Sequence, residues 1–179
     1  RLGGGGGADT LIGGAGDDLV WGGLQDDKLE GGDGRDTVAG GEGDDRLRGG
    51  AGDDELWGGA GHDGAMGDGG NDTLQGKDGR DWLHGGDGRD RLIGGGGNDT
   101  LIGAAEADVF VFHANTGGDR VKDFRPGEDR LEIAIPGLDF AALDLRWHRD
   151  GTLIDLPGGQ ILLDDVWPGA LDAGDFLFS

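Results

Sequence analysis

The chain has 179 residues, 45 of them glycine and only 34% hydrophobic, and 37 acidic against 15 basic residues leave a formal charge of −22. Large apolar side chains this sparse cannot offset the backbone entropy that glycine loses on folding, which excludes an ordinary close-packed globule. The charge excludes nucleic acid and an anionic membrane surface as partners, and its natural complement is a cation. With no cysteine there is neither a disulfide nor a thiolate metal site, and no apolar run approaches a membrane span. The start, Arg1-Leu2-Gly3, lacks an initiator Met and the basic-then-apolar layout of a signal peptide, as expected of a piece of a longer polypeptide.

From Gly4 to Val111 the sequence is twelve nonapeptides in unbroken register, from GGGGADTLI to GAAEADVFV. Position six is Asp in every block and position eight is apolar in every block, from Leu11 to Phe110. Collagen would need glycine at every third residue and much proline, and the chain has four prolines. Positions one, two and four are mostly glycine, which supplies positive φ angles and lets carbonyls approach a ligand. The first six residues of a block therefore predict a turn, and the last three, one apolar residue between two mostly polar ones, predict a very short strand with one buried face. Such strands are stable only when stacked, which predicts a parallel solenoid rising about 4.8 Å per coil.

The block GGxGxD followed by x, an apolar residue and x resembles the nonapeptide of the RTX (repeats-in-toxin) family. The resemblance implies an all-β fold, a right-handed parallel β-roll of about six coils with two nonapeptides per coil, over residues 1–111. Its two rows of turns would carry Asp9, Asp27, Asp45, Asp63, Asp81 and Asp99 on one side and Asp18, Asp36, Asp54, Asp72, Asp90 and Asp108 on the other. Calcium would lie between neighbouring coils, held by these carboxylates and by turn carbonyls. The carbonyl donors expected are those of Gly5, Gly7, Gly14, Gly16, Gly23, Gly32, Gly34, Gly41, Gly43, Gly50, Gly52, Gly59, Gly61, Gly70, Gly79, Gly86, Gly88, Gly95 and Gly97. Oxygen donors are what this hard cation requires. Five gaps per side set a ceiling of about ten ions, whose charge would cancel most of the −22. Fewer are expected, because Gln25, Asp68, Lys77, Ala104 and Glu106 stand where the repeat calls for other residues, mostly glycine, and because the ends of the roll are open.

After Val111 glycine thins and longer apolar alternation begins, in segments such as VFVFHA, DRLEIAI and QILLDDV. Residues 112–179 are thus expected to form a β-rich cap over the last coil, whose strand edges would otherwise be exposed. Residues 118–133 resemble the segment that follows the repeats in serralysin-type metalloproteases, through Asp119, Asp123, Phe124, Gly127 and Asp129, with Glu132 where Asp is expected. Asp119 and Asp123 would either bind a further calcium or serve as turn and surface carboxylates. The terminus Asp175-Phe176-Leu177-Phe178-Ser179 resembles the secretion motif that a type I (ABC) exporter reads, and is equally a last hydrophobic strand docking on the cap.

No catalytic constellation is present. His62, His84, His113 and His148 form no HExxH pair, and the sole serine is Ser179. The outward positions suggest two faces. One carries Leu19, Trp21, Ala39, Trp57, Ile93 and Val109, for intramolecular packing or for docking of the cap, an upstream domain or a carbohydrate. The other carries Lys28, Arg46, Arg48, Trp82 and His84, for pairing with neighbouring acids or meeting an acidic polysaccharide. The resemblance implies a secreted, extracellular calcium-binding module of a Gram-negative-type bacterium. It would fold on meeting external calcium and support type I secretion and folding of an upstream passenger, itself a protease, lipase or epimerase. The alternative is an adhesive or polysaccharide-binding module.

Overall fold

In the computed structural model, which describes residues 1–179, each nonapeptide contributes one strand. β1 (Leu2–Gly6), β2 (Thr10–Ala15), β3 (Leu19–Leu24), β4 (Lys28–Asp33), β5 (Thr37–Glu42) and β6 (Arg46–Ala51) are followed by β7 (Glu55–Ala60), β8 (Gly64–Gly69), β9 (Thr73–Gly79), β10 (Trp82–Asp87), β11 (Arg91–Gly97) and β12 (Thr100–Ala104). The strands are longer than the three residues expected. Most run through positions seven to nine and on into positions one to three of the next block, while β9 and β11 reach position four and β12 ends at position two, so the turn shrinks to about positions four to six. The reason is the parallel partner eighteen residues away. It pairs with the glycine backbone as well, in a register from Thr10↔Lys28 to Ala15↔Asp33 that skips only position one.

Odd-numbered strands pair with odd and even with even, giving two parallel faces around one apolar column. That column is the position-eight ladder. Val20, Leu29, Val38, Leu47, Leu56, Ala65, Leu74, Leu83, Leu92, Leu101 and Phe110 are all buried. One large side chain per nine residues is enough because it touches its equivalents above and below as well as the opposite face.

The stacking does not stop at Val111. β13 (Val109–His113) pairs with β11 and with β15 (Arg130–Ala134), while β14 (Gly117–Val121) extends the other face from β12. Three further strands, β16 (Asp144–His148), β17 (Gly151–Leu156) and β18 (Gly159–Asp164), form an antiparallel meander that joins β14 through β18, and β19 (Phe176–Phe178) lies parallel on β15. The apolar column continues through Val121, Phe124, Leu131, Ile133, Ile161 and Phe176 in one cluster. The chain is all-β, and its parallel strands form a β-roll of about seven turns. No helix is long and apolar enough to cross a membrane.

Candidate metal centre

Positions two and four have positive φ in all twelve blocks. Glycines there lie between +94° and +144°. Where the repeat is broken the backbone keeps its hand, at Gln25 (74°), Asp68 (74°), Lys77 (86°), Ala104 (77°) and Glu106 (68°), the narrower range a β-carbon tolerates. The five departures therefore leave the turns intact. Lys77 is exposed, and Asp68 pairs with Arg48.

These turns place the position-six aspartates in two vertical rows. Asp9 donates its N–H to Oδ1 of Asp27 at 2.7 Å, Asp27 to Asp45 at 2.8 Å, and so on up that side to Asp81 on Asp99 at 2.9 Å. On the other side Asp18 donates to Asp36, and the chain of bonds runs through Asp54, Asp72 and Asp90 to Asp108. The carbonyl of each aspartate accepts the position-seven N–H of the next coil, as in Lys28 on Asp9 at 3.0 Å. Only Oδ2 is left. In eleven of the twelve, all but the more open Asp18, this oxygen is buried without any hydrogen-bond partner.

A row of buried, unpartnered carboxylate oxygens is unfavourable as it stands, since each costs desolvation that no donor repays. Burial pushes the carboxyls of Asp63, Asp72, Asp90 and Asp108 up to about 7, and those of Asp54, Asp81 and Asp99 up to about 6. The hydrogen bond from the neighbouring aspartate's N–H opposes the rise, and the charges of neighbouring carboxylates add to it.

The space beside each Oδ2 is kept open by the position-one glycine. A β-carbon on Gly13 would lie 2.8 Å from Asp18 Oδ2 and 2.5 Å from the Gly31 carbonyl oxygen. The same collision with the block's own Oδ2 recurs at all twelve position-one glycines, and nine also meet a position-one carbonyl of the next coil. Position one has no positive φ, so glycine is required there for room and not for conformation. The expected donors at positions two and four also turn toward the next coil, since a β-carbon on Gly32 or Gly59 would strike the carbonyl oxygen of Gly14 or Gly41. No three His, Asp or Glu side chains converge anywhere. A cation in a gap is thus offered carboxylate and carbonyl oxygens only, a donor set that fits calcium.

A family model described as the RTX calcium-binding nonapeptide repeat matches four times, at residues 3–38, 30–65, 39–74 and 66–101, together more than half of the chain. The chain belongs to the RTX calcium-binding repeat family. No curated protein sequence matches it. Among solved structures, the RTX roll is similar to extracellular lipase LipA from Serratia marcescens, with 16% identity and a TM-score of 0.50. That match covers 90% of this chain and 40% of the lipase, so the chain spans less than half of that relative. A subunit of the Azotobacter vinelandii mannuronan C5-epimerase also matches, at 25% identity and a TM-score of 0.30, over 93% of this chain and 81% of that one.

Two more carboxylates continue the rows of the RTX roll into the cap. Asp119 accepts the Asp99 N–H at 3.0 Å, and Asp129 accepts the Asp108 N–H at 3.1 Å; both are buried. Unlike the repeat aspartates, each also has a protein donor on Oδ2, the Thr116 hydroxyl for Asp119 and the Arg125 N–H, at 2.8 Å, for Asp129. Asp123 lies outside the rows and accepts the N–H groups of Gly103 and Ala104 at 3.0 and 2.8 Å. Glu132, the departure from the resembling segment, reaches Arg91 at 2.7 Å, which holds its carboxyl below the usual range.

A second ladder runs along position five in the opposite sense. Asp26 accepts the N–H of Asp44, Asp44 that of His62, and His62 Nδ1 that of Arg80, while Asp53 and Asn71 do the same for Asn71 and Arg89. The repeat pattern hides it because the residues differ in type. Their shared signal is a short side chain with an acceptor.

The two outward faces are open along the RTX roll. On one face Trp21 is 54% and Trp57 39% exposed, while Ala39, Ile93 and Val109 are half-buried; the cap strands extend the end of the roll and leave the two tryptophans uncovered. On the opposite face Arg48 pairs with Asp68, and Trp82 stacks on His84 at 5.5 Å. A shallow groove of about 270 Å³ passes Ile12, Lys28, Glu30, Arg46 and Arg48.

Proposed function

We propose that this RTX chain is a calcium-dependent folding module of an extracellular protein, with residues 1–111 as the calcium-bearing roll and 112–179 as its cap. The observation that carries the reading is the pair of aspartate rows in which eleven of the twelve Oδ2 atoms are buried without a hydrogen-bond partner, beside a cradle kept open by glycine. In this reading the ligands are the twelve position-six aspartates, Asp9 through Asp108, with carbonyls of positions one, two and four. Calcium, when bound, supplies the positive charge that the rows lack. Without it, like charges stacked one coil apart repel and the chain is held unfolded; with it, binding free energy becomes folding free energy. A chain that unfolds where calcium is scarce and folds outside the cell suits export as a polypeptide by a type I route and would assist an upstream passenger. The terminal residues bear on this part: Asp175 to Phe178 resemble the exporter motif, and in the folded chain they dock on the cap, where Asp175 accepts the Gly127 N–H at 2.6 Å and Phe176 is buried. Neither the roll nor the cap carries a catalytic role in this account. Far-UV circular dichroism tests it. The spectrum is expected to be coil-like in chelator and β-like in millimolar calcium, and a chain equally folded in both would refute the proposal.

A second reading, a polysaccharide-binding or adhesive module, is favoured by the uncovered Trp21 and Trp57. Affinity for alginate that is lost in Trp21→Ala with Trp57→Ala, while calcium-induced folding persists, would establish it.

A further inference from the structure

The two aspartate rows end differently. On the row that finishes at Asp119, the Asp99 Oδ2 below it is still unpartnered, and Asp119 itself takes only a neutral hydroxyl from Thr116. On the row that finishes at Asp129, a cation is already in place. The guanidinium of Arg125 lies 3.8 Å from Asp108 Oδ2 and 3.4 Å from Asp129 Oδ1, and it donates to the carbonyl oxygen of Glu106. Two successive row carboxylates and a position-four carbonyl are the same kinds of group that face each gap lower down the roll. The backbone N–H of Arg125 also occupies Asp129 Oδ2, at 2.8 Å.

The local chain holds this arginine over the last turn. Asp123 ties down Gly103 and Ala104, Phe124 is buried 6.1 Å from Phe110, and the Arg125 carbonyl accepts the N–H groups of Glu128 at 3.1 Å and Asp129 at 2.9 Å, closing a tight turn through Pro126 and Gly127. A planar, permanently charged group with several donors suits a fixed cluster of oxygens, and unlike a metal ion it is always present.

We infer that Arg125 is a built-in replacement for calcium: it fills the gap between Asp108 and Asp129, so that this row closes without a metal ion while the last gap of the other row, between Asp99 and Asp119, takes one. The inference rests on the calcium reading above and assigns to this chain one site fewer than its aspartate rows would hold.

The test counts ions on the full chain by native mass spectrometry at saturating calcium, for wild type, Arg125→Gln and Arg125→Lys. Arg125→Gln is expected to hold one calcium more than wild type, because the vacated gap offers two carboxylates with no counter-charge, and Arg125→Lys the wild-type number. Equal counts in wild type and Arg125→Gln would overturn the inference. If Arg125→Gln does not fold, anomalous diffraction from calcium-loaded wild-type crystals decides: no peak between Asp108 and Asp129 is expected, and a peak there overturns it. Wild type without any bound ion would overturn the calcium reading as a whole, whereas an ion in this one gap overturns only the role of Arg125.

Discussion

Replacing Asp72 by Asn is expected to push the chain in opposite directions with and without calcium. Asp72 sits mid-row, 1% exposed, with Oδ1 holding the Asp54 N–H at 2.8 Å and Oδ2 unpartnered. Asn keeps the Oδ1 acceptor and the volume, and removes the charge from Oδ2. Burial raises the Asp72 carboxyl from 3.8 to about 7, with the charges of Asp54, Asp53 and Asp68 adding to the rise. A rise of about three units corresponds to about 4 kcal/mol against the charged form, the ceiling on what Asn gains in the metal-free fold at neutral pH. In calcium the same change deletes an anionic ligand. The calcium midpoint should then rise tenfold or more, a loss of at least about 1.4 kcal/mol. The assay is two titrations followed by far-UV circular dichroism: calcium on the apo chain, and an excluded osmolyte such as trimethylamine N-oxide in chelator, which drives folding without metal. The variant should need more calcium but less osmolyte. If it needs more of both, Asp72 is a packing residue and not a ligand, and the reasoning fails.

Other substitutions separate room from conformation. Gly22→Ala sets a β-carbon against Asp27 Oδ2 and 2.8 Å from the Gly40 carbonyl oxygen, with no positive φ to strain, whereas Gly64→Ala meets nothing within 4 Å; the first should weaken the calcium response at least tenfold and the second should leave it unchanged. The pH dependence of the metal-free chain has a fixed sign. The carboxyls of Asp54, Asp63, Asp72, Asp81, Asp90, Asp99 and Asp108 have folded values near 6 or 7, above the ordinary 3.8. The stability they contribute is therefore full below about pH 4 and lost as pH rises through about 7. In chelator the chain should be more ordered at about pH 5 than at pH 8, whereas calcium affinity should rise with pH over the same interval, because protons compete with the metal for Oδ2. Leu56→Ala, at a fully buried rung of the column, should cost about 2–5 kcal/mol in chemical denaturation of the calcium-loaded chain without changing the number of bound ions.

The repeat made most of this fold legible. Unbroken nine-residue register placed every position-six aspartate on one of two rows and every position-eight side chain in the column, since each block repeats one local geometry. The turn is shorter than the sequence suggests because glycine is ambiguous between turn and strand, and only a partner strand eighteen residues away decides for strand at positions one to three. Asp119 and Asp129 were hidden as row members for a related reason. They lie 20 and 21 residues beyond Asp99 and Asp108 instead of 18, so the register that exposes the others slips by two and three residues just where the cap begins. The repeat puts Trp21 and Trp57 on an outward face but does not say whether the cap covers them, because that depends on the cap stacking along the axis of the roll.

The central claim is that the buried Oδ2 rows are where calcium sits, and diffraction from calcium-loaded crystals tests it most directly. Anomalous peaks are expected in two lines along the turns, each about 2.3–2.6 Å from an Asp Oδ2 and beside a position-one glycine. A folded, calcium-saturated chain with its peaks elsewhere, or with none along those rows, would contradict the account.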